Sequence, residues 1–522
     1  MNVKFVSVED GITALGFRKV ASIARKLDPK TKIYFIITGN FYSLQTFLFP
    51  AAKGEFSTSD YQRIAKELSD ADLLCFSSMS PAAPYIEGII KEIHKINKHV
   101  YILWGGAHAI ICPDEAIKFA DAICTGEGEI PYQKFFKAFI NKENFFKTPG
   151  MWFKKGKRVY RNINLPLNNP NQMEHFPYLY NGLDCYVYRS KYQAFRDFTK
   201  YHYLKYCGLI YRTIWTIGCP FACSYCANDA FVKYDPKYRI IRHTSIDYVI
   251  NEIKIAIKMY PFISTVVFYD DNFITNSLAD IKAFAKKYKG EIDLPFAVPG
   301  MHPNYITREI IDTLGRAGMN RTRMGIQSGS QKILNFFHRP TPIKIVKRSA
   351  NILIEKAKKY NMIPPAFDII TDNPIEKRED LIDTIKLLYN LKRPYTLNVF
   401  SLRVFPKTKL WDYFQSNQTY DIRQLTSSYL DTRQTMSTVL LYLLPVVKPP
   451  KFIFNYLLSK VEDHSPDNIL YPILYRIVRT LYLTKRGVEH LIHLDFSTIA
   501  GLSGYYLWKL GVMKKPKPAV NI

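Results

Sequence analysis

The chain has 522 residues, with 72 Lys and Arg against 45 Asp and Glu, a formal net charge of +27. Hydrophobic residues make up 47% and charged residues 22%, which excludes a fibrous or wholly disordered chain. Eight cysteines over this length are too sparse for a disulfide scaffold. The length predicts about three domains. The cationic surplus points to nucleic acid, anionic lipid or acidic substrates, or to a solvated Lys-rich surface.

Residues 1–8 form too short an apolar run before Glu9 and Asp10 to be a signal peptide. No stretch of about 18 apolar residues predicts a spanning helix. A cytoplasmic protein is expected. Short apolar strands are predicted at 3–8, 33–38, 73–77, 100–104 and 122–124, with helices at 17–27, 61–68, 85–96 and 115–119. This alternation predicts an α/β, doubly wound (Rossmann-like) domain over 1–141, with ligands at the carboxyl ends of its strands. Residues 142–205 carry scattered Pro, Asn and Tyr and read as an irregular linker with room for one small hairpin.

A second alternation follows over 206–410. Strands are predicted at 211–217, 265–269, 295–298, 322–326, 366–370 and 397–404, and helices at 246–259, 278–288, 308–317, 345–358 and 378–391. Six βα steps predict a partial (β/α)6 barrel with its site on the loops after the strands. Residues 411–522 lose this rhythm and read as a mainly helical region. There Leu470, Ile473, Leu474, Ile477, Val478 and Leu481 form one apolar stripe at helical spacing. The stripe is expected to close the open side of the barrel. From Lys448 onward 11 Lys and Arg face 5 Asp and Glu, so peripheral contact with a membrane surface is the competing expectation.

Three cysteines fall within eight positions in Cys219-Pro220-Phe221-Ala222-Cys223-Ser224-Tyr225-Cys226. Three thiolates on one loop suit three irons of a four-iron cluster and leave the fourth iron open. The alternatives are a chance grouping or a zinc site, although zinc favours a fourth ligand and paired Cys-x-x-Cys spacing. The other five cysteines, Cys75, Cys112, Cys124, Cys185 and Cys207, read as small hydrophobes.

The Cys-x-x-x-Cys-x-aromatic-Cys spacing, placed after the first barrel strand, resembles the signature of the radical S-adenosylmethionine (SAM) superfamily. Tyr269-Asp270-Asp271-Asn272-Phe273 resembles that family's SAM amino-group loop. Met324-Gly325-Ile326-Gln327-Ser328-Gly329-Ser330 resembles its fourth-strand segment. Residues 368–380 and 400–408 resemble its fifth and sixth strands. In the N-terminal region, Trp104-Gly105-Gly106-Ala107-His108 and Gly126-Glu127-Gly128 resemble the cobalamin-binding domain of the cobalamin-dependent subfamily. Over about residues 1–410 the chain is similar to that subfamily throughout.

The resemblance implies that Cys219, Cys223 and Cys226 hold a [4Fe-4S] cluster. It implies SAM contacts from Tyr225, Asp270, Asp271, Gln327 and Ser328, with a helix cap as the other reading of the two aspartates. It implies cobalamin contacts from Gly105, Gly106, His108, Gly126, Glu127 and Gly128, with a structural hydrogen bond as the other reading of His108. Reductive cleavage of SAM to a 5'-deoxyadenosyl radical follows, with electrons from a donor such as flavodoxin or ferredoxin. Cobalamin-dependent methylation of an unactivated carbon is the expected outcome, on a substrate of lipid-like character. Radical SAM cyclisation, coupling or rearrangement is a second reading, and a non-enzymatic iron–sulfur or cobalamin sensor a third. No helix-turn-helix, zinc-finger or RNA-binding signature supports a nucleic-acid partner. The sequence departs from the family at several points. It has no Asp-x-His-x-x-Gly motif, its first histidine being His94, so no protein imidazole is expected on cobalt. Gln327 stands where Glu is frequent, His302 where Arg is frequent, and Asp372-Asn373-Pro374-Ile375 where Gly-Leu-Pro-Gly is usual.

Overall fold

The computed structural model describes residues 1–38, 56–189, 193–417, 432–462, 470–497 and 502–515. The chain divides into two compact units, one built mainly on Met1–Gly208 and the other mainly on Leu209–Lys254 and Pro261–Thr498.

Among the described residues the first unit holds a nine-stranded sheet. Its strands are β1 (Val3–Glu9), β2 (Lys32–Ile37), β3 (Leu73–Ser77), β4 (Tyr101–Gly105), β5 (Ala122–Cys124), β6 (Met151–Lys155), β7 (Arg158–Arg161), β8 (Tyr186–Arg189) and β9 (Ala194–Asp197). They lie in the order β7-β6-β5-β4-β3-β1-β2-β8-β9. The strands from β5 across to β8 are parallel. They read as continuous apolar runs because helices cover both faces. On one face Ile64 and Leu68 of Thr58–Leu68, with Ile86, Ile89, Ile90 and Ile93 of Ala83–Ile96, bury Val6, Leu74, Ile102 and Trp104. On the other, Phe17 of Leu15–Leu27 and Tyr132 of Glu129–Ile140 meet the ring of Phe5.

Residues 142–205 depart from the irregular linker that was expected. Two antiparallel hairpins there, β6–β7 and β8–β9, extend the sheet at both edges, β6 pairing with β5 and β8 with β2. The Pro- and Asn-rich stretch between them masks this, because short strands at sheet edges carry little apolar signal of their own. Chain order reverses between β1 and β3, so the crevice for a ligand opens at the carboxyl ends of those two strands.

The second unit holds a six-stranded parallel sheet, described as β10 (Ile210–Thr213), β13 (Thr265–Phe268), β14 (Phe296–Met301), β15 (Met319–Gln327), β16 (Ala366–Thr371) and β17 (Thr396–Ser401), in that order. The expected strand over 211–217 splits at Trp215. Its second piece, β11 (Thr216–Ile217), leaves the sheet and pairs antiparallel with β12 (Arg242–His243). The break is built from specific bonds: the Trp215 indole donates to Thr244 O at 2.9 Å, and the Trp215 N–H donates to Asp270 at 3.0 Å.

At the far edge, β17 is covered by the C-terminal helices, which removes an unpaired strand edge. Tyr482 of Leu470–Ile492 accepts the Leu397 N–H at 3.0 Å and donates to the Leu397 carbonyl. Helix Met436–Val446 packs against the same helix, where Tyr442 meets Tyr475 and Tyr482. Its burial on nearly every side explains the apolar run there without a membrane. No described helix is long and apolar enough to cross a membrane.

Of the stripe expected to close the barrel, Val478 alone is buried. The face that packs is Tyr471, Tyr475, Val478 and Tyr482, whereas Ile473, Leu474, Ile477 and Leu481 are exposed. Tyrosines dock because each joins an apolar ring to a hydroxyl that satisfies a buried backbone group.

Candidate functional site

The cysteine loop sits between β11 and the helix Ala227–Tyr234. It opens on Gly218, whose φ of +103° favours glycine. A Cβ there would also lie 2.4 Å from the Ile240 carbonyl oxygen. The loop closes with the Cys226 N–H donating to Cys223 O at 2.9 Å. All three thiols are free. Burial pushes Cys219 up to about 11 and Cys226 up to about 12, and each is raised further by its neighbouring cysteines. Thiols gathered in such a place ionise only when cations bind them, which fits iron ligation. Among the described residues no three such side chains converge on one ion-sized point. A four-iron cluster does not need them to, since each thiolate takes its own iron.

Asp270 and Asp271, after β13, brace this loop. Asp270, expected to contact SAM, is engaged with the backbone before the loop. Its buried carboxylate accepts the N–H groups of Trp215 at 3.0 Å and Thr216 at 2.9 Å, so it anchors the backbone that leads into the loop. Burial raises its pKa to about 7 against the pull of those bonds. Asp271 accepts from the Gly218 N–H at 2.9 Å and from Asn228 Nδ2 at 3.0 Å, and so ties together the two ends of the cysteine loop. Neither bond is a helix cap. Asp271→Ala is therefore expected to lower retained iron as well as SAM binding. Loss of charge-assisted bonds worth about 1.5 kcal/mol would make the closed loop roughly tenfold less populated. Iron content after gel filtration of the reconstituted variant checks this.

Tyr225 lies in the loop beside Arg339, a residue that no sequence motif marks. Arg339 is buried and donates from Nη1 to the Tyr225 hydroxyl at 3.0 Å and to Cys223 Sγ at 3.8 Å, and from Nη2 to Gly325 O at 2.6 Å. Burial opposes its charge, but Tyr225 and Cys223 outweigh that and hold the guanidinium protonated. Its place is set by the chain's return after helix Gln331–Phe336, which sequence spacing does not show. A fixed cation beside a ligand sulfur favours the more negative, reduced cluster. Arg339→Met is expected to lower the cluster's reduction potential by about 60 mV, a tenfold shift for one electron. Spectroscopic redox titration measures it, and an unchanged potential would assign Arg339 to packing alone.

At the end of β15, Gln327 is held at a φ of 71° with its side chain folded back over Gly325. Asp372, at the end of β16, is likewise at 58°. Non-glycine residues in this region are strained, and such strain gathers at functional loops. Ser328, also expected to contact SAM, is held within its own loop. It is fully buried, with its hydroxyl 3.2 Å from Thr384 Oγ1 and accepting the Ser330 N–H at 3.1 Å. Near it, burial raises Glu376 to about 8, with Asp380 and Asp372 adding to the shift. His302 stacks on Phe221 inside the cysteine loop, centroids 3.8 Å apart, and burial keeps it neutral. Inside the barrel, Arg323 Nε bonds both oxygens of Asp368 at 2.7 and 2.8 Å, and Asn398 Nδ2 donates to the same carboxylate at 2.9 Å.

In the first unit the loops after β1, β3, β4 and β5 frame the switch point. Glu9 ends β1 and accepts the Met79 N–H at 2.7 Å, and burial raises its carboxyl to about 8. Its place at a strand's carboxyl end was the available signal. Gly106 has a φ of +88°, and a Cβ there would lie 2.7 Å from Ser77 Oγ and 2.9 Å from Ser78 backbone. The loop's own packing therefore requires this glycine. At Gly105 a Cβ would meet only ordinary contacts, the nearest at 3.7 Å. Gly126 lies near Asn164 and Gly128 near Val20. The Glu127 carboxylate is engaged by the Asn168 N–H at 2.6 Å, which draws it toward the edge segment.

His108 was expected at the crevice edge and is instead buried. Its ring lies 5.1 Å from the Trp104 ring, and Nδ1 lies 3.3 Å from Ser80 Oγ. Nε2 has no partner among the described residues. Burial lowers its pKa to about 4, so the ring is neutral. A covered imidazole of this kind fits a structural role in shaping the loop. The small residues Gly105, Ser78 and Ser80 at neighbouring strand ends fit a wide, flat cofactor approaching closely.

The radical SAM superfamily model matches residues 213–388, and the B12 binding domain model matches residues 53–136. In structure the chain is similar to the cobalamin-dependent S-adenosylmethionine radical enzyme OxsB with aqua-cobalamin bound. Identity is 13%, coverage 98% of this chain and 84% of that one, and the TM-score 0.62. It is also similar to the radical S-adenosylmethionine methyltransferase TsrM from Kitasatospora setae with tryptophan substrate and a SAM analog bound. There identity is 13%, coverage 80% and 76%, and the TM-score 0.60. A second TsrM structure, with cobalamin and a [4Fe-4S] cluster bound, gives a TM-score of 0.58. No curated protein matches in sequence. The cysteine loop after β11 and the doubly wound sheet of the first unit thus lie in a radical SAM domain and a B12-binding domain, whose cofactors are a [4Fe-4S] cluster, S-adenosylmethionine and cobalamin.

Proposed function

We propose that this enzyme methylates an unactivated carbon in a cobalamin-dependent radical reaction. The observation that carries the reading is the pairing, in one chain, of a braced three-cysteine loop with a B12-binding domain. When bound, these groups supply a 5'-deoxyadenosyl radical and a transferable methyl group, the hard chemistry that a protein cannot perform alone.

The chain's own residues bind, orient and exclude. Cys219, Cys223 and Cys226 would hold the cluster, Asp271 closes their loop, and Arg339 keeps a positive charge at Cys223. Tyr225, with its hydroxyl taken by Arg339, packs beside the cluster. A one-electron carrier such as flavodoxin or ferredoxin is the donor in this reading. TsrM, a methyltransferase by name, has a similar fold and supports the outcome by analogy.

The test is anaerobic production with cobalamin supplied, then reduction with SAM present. Expected are 5'-deoxyadenosine, bound corrinoid, and a product heavier than its substrate by one CH2 unit. Gly105→Trp is expected to lower bound corrinoid severalfold while iron content stays intact. A product of unchanged carbon count would replace methyl transfer with radical cyclisation, coupling or rearrangement. Absence of 5'-deoxyadenosine from cluster-loaded, reduced protein would favour a sensor.

A further inference from the structure

The C-terminal helix Leu470–Ile492 is amphipathic in an unusual sense, because two of its faces are apolar. Tyr471, Tyr475, Val478 and Tyr482 dock inward. Outward stand Ile473 at 53% exposure, Ile477 at 53%, Leu481 at 53%, Val488 at 45%, Leu491 at 53% and Ile492 at 66%. At 3.6 residues per turn these six, with Leu474, fall within about 100° of arc. They line one side of the helix in two stretches, 473–481 and 488–492, with Thr484 between them. Helix Lys451–Ser459 repeats the arrangement on a smaller scale. Phe454 and Leu458 are buried, with Phe454 stacked on Tyr389 at 3.9 Å, whereas Phe452, Ile453 and Tyr456 are exposed.

An apolar seam of this length calls for an occupant, and the charge around it says which. Within Leu470–Ile492 the charged residues are Arg476, Arg479, Lys485 and Arg486 against Glu489; Arg486 turns inward to Asn398 and Lys485 to the Pro445 carbonyl, which leaves Arg476 exposed at the outer face. Arg476 lies on the flank of the seam, one helical turn from Ile473 and Thr480. The chain as a whole carries +27. A second copy seated on this face would set cations against cations. Nucleic acid would answer the charge and leave the seam in water. An anionic bilayer answers both, since acyl chains take the isoleucines and leucines while headgroups take the flanking Arg476 guanidinium and draw on the chain's positive charge. No described helix crosses a membrane, so the contact lies in the plane of one leaflet.

We infer that the outer face of Leu470–Ile492 docks the enzyme on the surface of an anionic lipid bilayer. This goes beyond the reaction proposed above and does not depend on it.

The test is flotation of the full-length holoenzyme with vesicles of phosphatidylcholine and phosphatidylglycerol at a 3:1 ratio, and with phosphatidylcholine alone. The wild type is expected to float with the anionic vesicles and to be released in part by added salt. The double variant Ile477→Glu with Leu481→Glu is expected to partition at least tenfold less, at unchanged iron content and circular dichroism. Arg476→Glu is expected to narrow the preference for anionic over neutral vesicles. Should the double variant misfold, Leu481→Trp keeps the face apolar, and its added fluorescence is expected to shift to the blue only when anionic vesicles are present. Wild type that stays with the soluble fraction, an indole with no shift, or a folded double variant that floats like wild type would each overturn the inference. So would a dimer in light scattering that the double variant dissociates, because the seam would then be an interface between copies.

Discussion

Replacing any one of Cys219, Cys223 or Cys226 with Ala is expected to abolish the four iron and four sulfide that the reconstituted chain binds, and with them all 5'-deoxyadenosine formation. The loop offers three thiols and the cluster needs three protein ligands, so no spare exists within it. Cys223 additionally receives a hydrogen bond from Arg339, whose other bonds go to Tyr225 and Gly325. Cys75→Ala and Cys124→Ala are expected to leave iron content unchanged. Both are buried in the first sheet, where burial raises their thiols, Cys124 to about 11, and neither belongs to the loop. Iron and sulfide assays on each variant check this, and a triple Ala variant that keeps its cluster would refute the assignment.

The second large effect concerns stability. Asp495, which follows the C-terminal helix, sits 3.1 Å from Arg321 Nε on β15, and its Oδ1 accepts from the Ser497 N–H at 3.1 Å. Arg321 Nη2 donates to Ser497 Oγ at 2.7 Å. Burial alone would raise the Asp495 carboxyl, but Arg321, with His490 and Ser497, holds it well below the usual carboxylate range. Burial in turn works against the Arg321 charge, and Asp495 offsets that. Asp495→Ala leaves the guanidinium buried without its counter-ion and is expected to cost about 3–5 kcal/mol. Adding Arg321→Met removes the stranded charge and is expected to restore most of that loss. Urea unfolding of both variants gives the comparison, and a double variant as unstable as the single one would show that pairing is not the cause. The pH dependence has a definite sign. A depressed carboxyl pKa contributes stability that is fully present above the unfolded value, near pH 4, and is lost as pH falls below it. Asp495→Ala should therefore flatten the acid limb of the wild-type stability curve.

The carboxylates of the cluster loop illustrate how a motif residue changes meaning in three dimensions. In sequence, Asp270 and Asp271 form one acidic pair after a strand. In the fold they hold different parts of the backbone, Asp270 the segment before the loop and Asp271 its two ends. Both brace the loop that carries the three cysteines. Arg339 reaches the same loop from 113 positions beyond Cys226 in the chain, with nothing local to announce it.

The sequence by itself determined the order of the parallel strands at the centre of both units and most of the helices between them, because buried parallel strands are short apolar runs and their helices repeat at 3.6 residues. The observed strands Leu73–Ser77 and Ala122–Cys124 and the helices Ile246–Met259 and Arg308–Ala317 begin and end where that pattern predicts. It also brought out the three candidate cluster ligands, since three thiols on one loop are a local feature that needs no tertiary contact to bring them together. Only the tertiary structure decided what lies at the sheet edges, where β6 to β9 draw their stability from a neighbour rather than from their own composition. The same holds for His108, Ser328 and Glu127, whose environments are made by segments distant in the chain. It decided, too, which face of Leu470–Ile492 packs. Periodicity finds an apolar stripe but not its partner, and the inward face went to tyrosines able to bond the β17 backbone while the isoleucines and leucines were left outside.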